Sequence, residues 1–319
     1  MPYCLSRSVI SCPIVALALA IVASYNGQIV FAQVPPVPQT NGVSAAPAGA
    51  VSPGRSSVQI AAPSQTPTQP RSAGRPSSHD AIAAIPMGRL TPAAQQRILA
   101  ITNRPTLYRH LGQQTIECDA DLFMFVVRNP EVLVGIWYLM DITEVQTQRL
   151  DPFKLRAVDG SGTDCTVDLV YGDPAVHVYV ADGFYDGKLT TNVINGKGVF
   201  VLRSTYKVDA TGNSVVEGTL DCFVQVEHLA ADLIMRTFGP LIGRTADHNF
   251  AETARFIDQL GTSAAKDPIA LEELAMRLPQ VSEPSRKRFA SLIHQAAQRQ
   301  RSRALAAPVA VTIPTSNRQ

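Results

Sequence analysis

The 319-residue chain predicts an α+β fold in which a curved antiparallel sheet packs against a long helix towards the C-terminal end. Three observations lead there. Two short helical patterns and then a run of period-two strands with tight turns fill residues 118–226. In the last strand Val216, Leu220, Cys222, Val224 and Val226 share one face and Glu217, Thr219, Asp221 and Gln225 the other, as in a sheet with one side towards a core. A long amphipathic stretch follows from Glu227, and a helix placed there is best used to cover the sheet's apolar face.

Each element has its local reason. Thr91 can cap a helix that has Pro92 at its first position, with Ile98, Leu99 and Ile101 as its apolar stripe. Residues 113–118 read as a brief strand. Asp119 opens a helix filled by Leu122, Phe123, Phe125, Val126 and Val127; Asn129-Pro130 ends it and starts another through Trp137. Strands are expected over residues 142–150, 153–158 and 165–171, with a turn at 159–162. Val176, Val178 and Val180 then alternate with His177 and Tyr179, and a long polar connection spans 182–197. Residues 199–207 and 215–226 form the last hairpin.

In the long helix Leu229, Leu233, Phe238, Leu241, Phe250 and Ile257 are expected to face the sheet, with Arg244, His248 and Glu252 on a polar face. Gly239-Pro240 should bend or interrupt it, because proline removes a backbone hydrogen bond. A further helix is expected over 268–278. A basic amphipathic helix is expected over 283–303, with Phe289, Leu292, Ile293 and Ala296 on its apolar side.

The ends differ in kind from this middle. Residues 1–32 read as an export signal: Arg7, an apolar run over 14–23, and small residues at Val30 and Ala32 before Gln33. That run is shorter than the roughly 20 residues of a membrane span, with an uncleaved anchor as the alternative. Residues 33–85 read as a disordered Pro/Ala/Ser-rich tether, too poor in apolar side chains to offset the entropy of ordering. The domain is placed at 86–262, a helical extension at 263–303 and a disordered tail at 304–319. A formal net charge of +2 implies no strongly charged partner, and export argues against nucleic acid. Of five cysteines, Cys4 and Cys12 leave with the signal. Cys118, Cys165 and Cys222 remain, enough for one disulfide and one free thiol in an oxidising compartment, with no spacing that selects the pair.

The segments TIECDADLFMFVVRNPEVLVGIW (115–137) and VEGTLDCFVQVEHLAADLIMRTFGPLIGRTADHNFAETARFIDQL (216–260) carry a resemblance. They look like the opening strand with paired helices, and the closing strand with terminal helix, of the START-like (helix-grip, SRPBCC) superfamily. That group includes lipid-transfer START domains, pollen-allergen-like proteins and polyketide cyclases. The resemblance is one of pattern and covers about residues 113–260. It implies a helix-grip fold and an apolar cavity between the inner sheet face and the long helix, holding a hydrophobic small molecule or lipid. On that basis Trp137, Tyr179, Arg203, Tyr206 and Phe238 are the candidate ligand-binding residues. Core filling explains the aromatics as well, and a solvated strand position explains Arg203. The long polar 182–197 connection and the Gly-Pro in the terminal helix depart from the pattern and limit the depth of any cavity. A cone-shaped sheet of the nuclear-transport-factor or cystatin-like kind is the rival, disfavoured because its long helix comes early.

Catalytic signals are sparse. There is no GxSxG, and Gly160-Ser161-Gly162 reads as a turn. His177 and Asp221 could form an acid–base pair across strands if their faces agree, but a solvated strand pair explains the same residues better. His228 with Asp232, and His248 with Glu252, are one helical turn apart, but two ligands do not close a metal site. Gly183, Gly187, Gly196 and Gly198 match no nucleotide fingerprint. The expectation is an exported, non-catalytic protein without cofactor or metal, binding an apolar or amphipathic small molecule near the cell envelope. It would have no integral membrane domain once mature. The alternative is an envelope scaffold with a filled core, whose tether and basic C-terminal helix make the contacts.

Overall fold

The computed structural model describes residues 76–188, 192–210, 212–227 and 231–306; the side chains of 227–243, 304 and 306 lie outside that description. Two helices come first, α1 (Ser78–Ala83) and α2 (Pro92–Thr102). Then follow β1 (Leu107–Glu117), α3 (Ala120–Arg128), α4 (Pro130–Leu139), β2 (Gln146–Asp151), β3 (Lys154–Val158), β4 (Thr163–Gly172), β5 (Val176–Tyr185), β6 (Ile194–Val208) and β7 (Ser214–Glu227). The chain continues as α5 (Ala231–Lys266), α6 (Pro268–Met276) and α7 (Glu283–Ala306). All seven strands form one antiparallel sheet, in the order β1-β7-β6-β5-β4-β3-β2. This is the α+β, helix-grip arrangement that the sequence predicts.

The local chemistry is as expected at the joints. Asp119 caps α3 by accepting from the backbone N–H of Asp121 and Leu122. Pro130 then starts α4 at about a right angle, 85° from α3. Asp159 closes the β3–β4 turn by accepting from the N–H of Ser161 and Thr163. Gly160 and Gly162 there hold φ of 71° and 125°, a conformation that a side chain would strain. Among the described residues, no single helix is long and apolar enough to cross a membrane.

α5 lies lengthwise along β1. Arg109 near the start of β1 forms an ion pair with Asp247, and the N–H of Glu117 at its end donates to Asp258 at 2.6 Å. Gly261 allows the closest approach: a Cβ there would stand 2.3 Å from the Glu117 carbonyl oxygen. Phe250 and Ile257 point into the core as predicted, whereas Leu229, Leu233, Phe238 and Leu241 fall outside the described side chains. Of the expected bend or interruption at Gly239-Pro240, the interruption is absent: one helix of 36 residues runs through it. A single lost hydrogen bond is a small fraction of such a helix's ladder.

The sheet is covered on both faces. On the helix-facing side Leu111, Phe123, Trp137, Leu202, Leu220 and Phe250 belong to the main core. On the other side Val178, Val180, Val199, Val201 and Phe223 pack beneath Ala81, Ile85, Ile98 and Ile101 of the N-terminal segment. α1 therefore lies inside the expected 33–85 tether. Ser77 and Asp80 form a reciprocal capping box that starts α1, and its apolar residues have a sheet face to bury. α7 is also integral, extending to Ala306. Phe289 stacks on Phe125 of α3 at 5.8 Å, and Arg299 grips Asp119 through two hydrogen bonds of 2.8 and 2.6 Å.

Smaller differences have simple causes. β1 begins six residues before the expected brief strand, because its first half pairs with β7 through Leu107↔Val224. The 182–197 connection shortens, since β5 and β6 pair as far as Tyr185↔Ile194. An irregularity between Leu169 and Tyr171 breaks the alternation of β4. Leu169 accordingly packs in the helix-facing core and Tyr171 in the outer one.

Candidate functional site

The five candidate binding residues do not converge. Trp137 is buried in the main core, its ring edge-on to Phe256 of α5 at 5.4 Å. Tyr179 is buried there too and donates its hydroxyl to the Val127 carbonyl at 2.7 Å. Tyr206 sits half-buried on the same side, edge-on to Phe123 at 6.2 Å. Arg203 faces the opposite side of the sheet, where it pairs with Asp221. Phe238 lies outside the described side chains.

Among the described residues, two voids open on the helix-facing side. One, of about 40 Å³, is enclosed by α3, α4, α5 and the centre of β6 and β7. Its wall is apolar apart from Thr253, whose buried hydroxyl has no hydrogen-bond partner. Gly218 on β7 contributes no side chain to it, and a Cβ there would meet only ordinary contacts of 3.8 and 3.9 Å. The other, of about 50 Å³, is a trough at the far end of the sheet, lined by Cys165, Ala181, Phe200, Val224 and Val226 around Gly183, Gly196 and Gly198. The ring of Phe200 rests on Gly198, whose Cβ would lie 2.8 Å from it. These glycines serve packing: at Gly183 a Cβ would stand 2.5 Å from that of Cys165.

The buried polar groups sort by face. Asp221 is fully buried on the outer side. Tyr108 donates its hydroxyl to Oδ1 of Asp221 at 2.9 Å, His110 Nδ1 lies 2.8 Å from the same oxygen, and Arg203 takes the other. Burial, then hydrogen bonding to this carboxylate, pushes the Tyr108 hydroxyl above its ordinary range. His177 points the other way. Its Nε2 accepts from Arg128 Nε at 3.0 Å, while Nδ1 is buried without a partner. A His177–Asp221 pair therefore does not form: β6 separates their strands, and the two side chains lie on opposite faces of the sheet. Burial first, and the Arg128 charge second, hold the His177 ring down at about 4.

Cys118, Cys165 and Cys222 are all buried and free, so the one disulfide that an oxidising compartment would permit is not formed. Burial pushes the Cys165 thiol up to about 12 and raises the other two as well, which suppresses thiolate chemistry. Glu252 pairs with Arg255 on its own helix. Among the described residues, no three metal-ligating side chains gather.

No protein-family model matches the sequence, and no curated protein matches it. Several solved structures are similar at low identity. A conserved protein from Geobacillus kaustophilus is 12% identical with a TM-score of 0.35, covering 48% of this chain and 96% of that one. Truncated norcoclaurine synthase from Thalictrum flavum is 14% identical with a TM-score of 0.30, covering 48% and 92%. Ara h 8.0201 is 8% identical with a TM-score of 0.26, covering 44% and 95%. The helix-grip arrangement rests on the strand order and the course of α5, not on these likenesses.

Proposed function

We propose that the chain is an exported, non-catalytic protein whose helix-grip domain binds a small apolar or amphipathic molecule, lipids included, between the sheet and α5. One observation carries the reading. The trough on the helix-facing side is almost wholly apolar, with Thr163 at one end. An apolar slot of this kind suits an apolar molecule or the apolar part of an amphiphile. At about 50 Å³ the trough is far below the roughly 300–1,000 Å³ of drug-sized sites, so binding requires the Phe200 ring to swing off Gly198. Native mass spectrometry of the exported protein should reveal a co-purifying apolar guest, and Phe200→Ala should increase uptake of a hydrophobic dye. A guest-free protein with no uptake by either form would reject the reading. The export signal at residues 1–32 supports an envelope location, checked by sequencing the mature N-terminus.

A second reading, an envelope scaffold, is favoured by the smallness of both voids on the helix-facing side. Its contacts would come from the exposed arginines of α7, Arg288 and Arg301. Deleting α7 would not test this, because Phe289 is part of the core. Reversing both charges, Arg288→Glu with Arg301→Glu, should abolish partner capture while leaving the fold intact; unchanged capture rejects the scaffold reading.

A further inference from the structure

The domain has a larger hollow away from the gripped face. A groove of about 250 Å³ lies where the last turns of α5, the start of α3, the β6–β7 turn and the end of α7 meet. Its floor is small: Gly261 and Ala265 of α5 and Ala296 of α7. Ser214, Thr262 and Gln300 line it with hydroxyl and amide groups. Two cations, Lys266 and Arg303, reach it from different helices.

The charge balance is positive. Asp119, the one lining carboxylate buried in the wall, is already held by Arg299 through two hydrogen bonds of 2.8 and 2.6 Å. Glu117 alternates along β1 with Ile116, which belongs to the helix-facing core, so its carboxylate points to the opposite side of the strand. Lys266 and Arg303 have no ion-pair partner among the described residues.

We infer that this groove is a binding site for a small, soluble molecule carrying a carboxylate or phosphate oxyanion. Lys266 and Arg303 would neutralise the charge, and Ser214, Thr262 and Gln300 would supply hydrogen bonds. The Gly/Ala floor offers little for an acyl chain to pack on, which favours a free anion over a lipid headgroup. This site is independent of the apolar reading above.

Titration calorimetry of the full chain at low ionic strength, with pyrophosphate and citrate as probes, tests the inference. Saturable one-to-one binding of at least one probe is expected. Lys266→Gln with Arg303→Gln should weaken it at least tenfold, and Thr262→Trp should block it by filling the groove. Lys287→Gln, which removes a cation paired with Glu283 elsewhere on α7, should leave it unchanged. No saturable binding by the native chain overturns the inference, as does equal binding by the double variant. An equal loss in Lys287→Gln marks a non-specific charge effect and also overturns it. Binding only to phosphatidylglycerol vesicles, with neither soluble probe bound, overturns the choice of a free anion.

Discussion

Asp221 and His110 face each other across the β1–β7 pair, with carboxylate oxygen and ring nitrogen 2.8 Å apart, on the side of the sheet away from α5. Tyr108 and Arg203 complete the shell around the carboxylate. Three side chains from two strands thus depend on one buried charge on a third. Removing it strands a guanidinium and a phenol hydroxyl. Asp221→Ala should cost about 3–5 kcal/mol in urea unfolding, the usual result of breaking a buried pair from one side. A loss under 1 kcal/mol would mean the cluster is solvated and unimportant to the fold.

His177 makes stability pH-dependent in a stated direction. Its ring is held at about 4 when folded against an ordinary 6.5, so the unfolded chain binds this proton more readily. The associated stability is whole above about pH 6.5 and is lost progressively as pH falls towards 4, by at most about 3 kcal/mol. The difference between native and His177→Phe stability, measured from pH 7.5 to 4, should shrink on acidification. A constant difference would show that the ring titrates normally.

Two glycines should respond to alanine with opposite signs. Gly261→Ala drives a Cβ to within 2.3 Å of backbone oxygen at Glu117 and 2.9 Å of the Cys118 Cα. That clash, typically about 1–3 kcal/mol or more, outweighs the roughly 1 kcal/mol an alanine gains in a helix. Gly218→Ala has room and restricts the unfolded chain, so it should stabilise by about 0.4–1 kcal/mol. Thermal melts of both variants check the pair; a stabilised Gly261→Ala would mean that α5 does not hug β1.

The three buried thiols should be inert. Native protein should leave Cys118, Cys165 and Cys222 unlabelled by iodoacetamide at pH 8, and denaturant should expose all three. Rapid labelling of any one without denaturant would contradict its burial.

The scaffold was legible where local rules and tertiary demand agree. Thr91-Pro92, Asp119 and Asp267-Pro268 mark helix starts by capping side chains, and Asn129-Pro130 by a proline at the first helical position, all local chemistry that needs no distant partner. Failures occur where a distant surface decides. Alternation in β5 distinguishes two faces but not which is inner; α2 makes the Val178 and Val180 face a second core. The same ambiguity left open whether His177 and Asp221 share a face. Leu107–Gly112 has little strand character alone and is ordered by β7. Of the candidate site, the sequence identified buried aromatics but not their separation, and Arg203 read as solvated because Tyr108, His110 and Asp221 meet it only across strands. Nothing local announced the α5–α7 groove, whose walls lie far apart along the chain.

The helical layer on the back of the sheet bears on how this protein can be handled. Arg97 ties that layer to β4 and β5 through Asp168 and Asp182, at 2.7 and 2.8 Å. A shortened version starting after Thr102 would wet Val178, Val180, Val199, Val201 and Phe223 together. Such a greasy slab invites self-association, so a fragment trimmed to the minimal grip should precipitate while one retaining the first helices stays in solution.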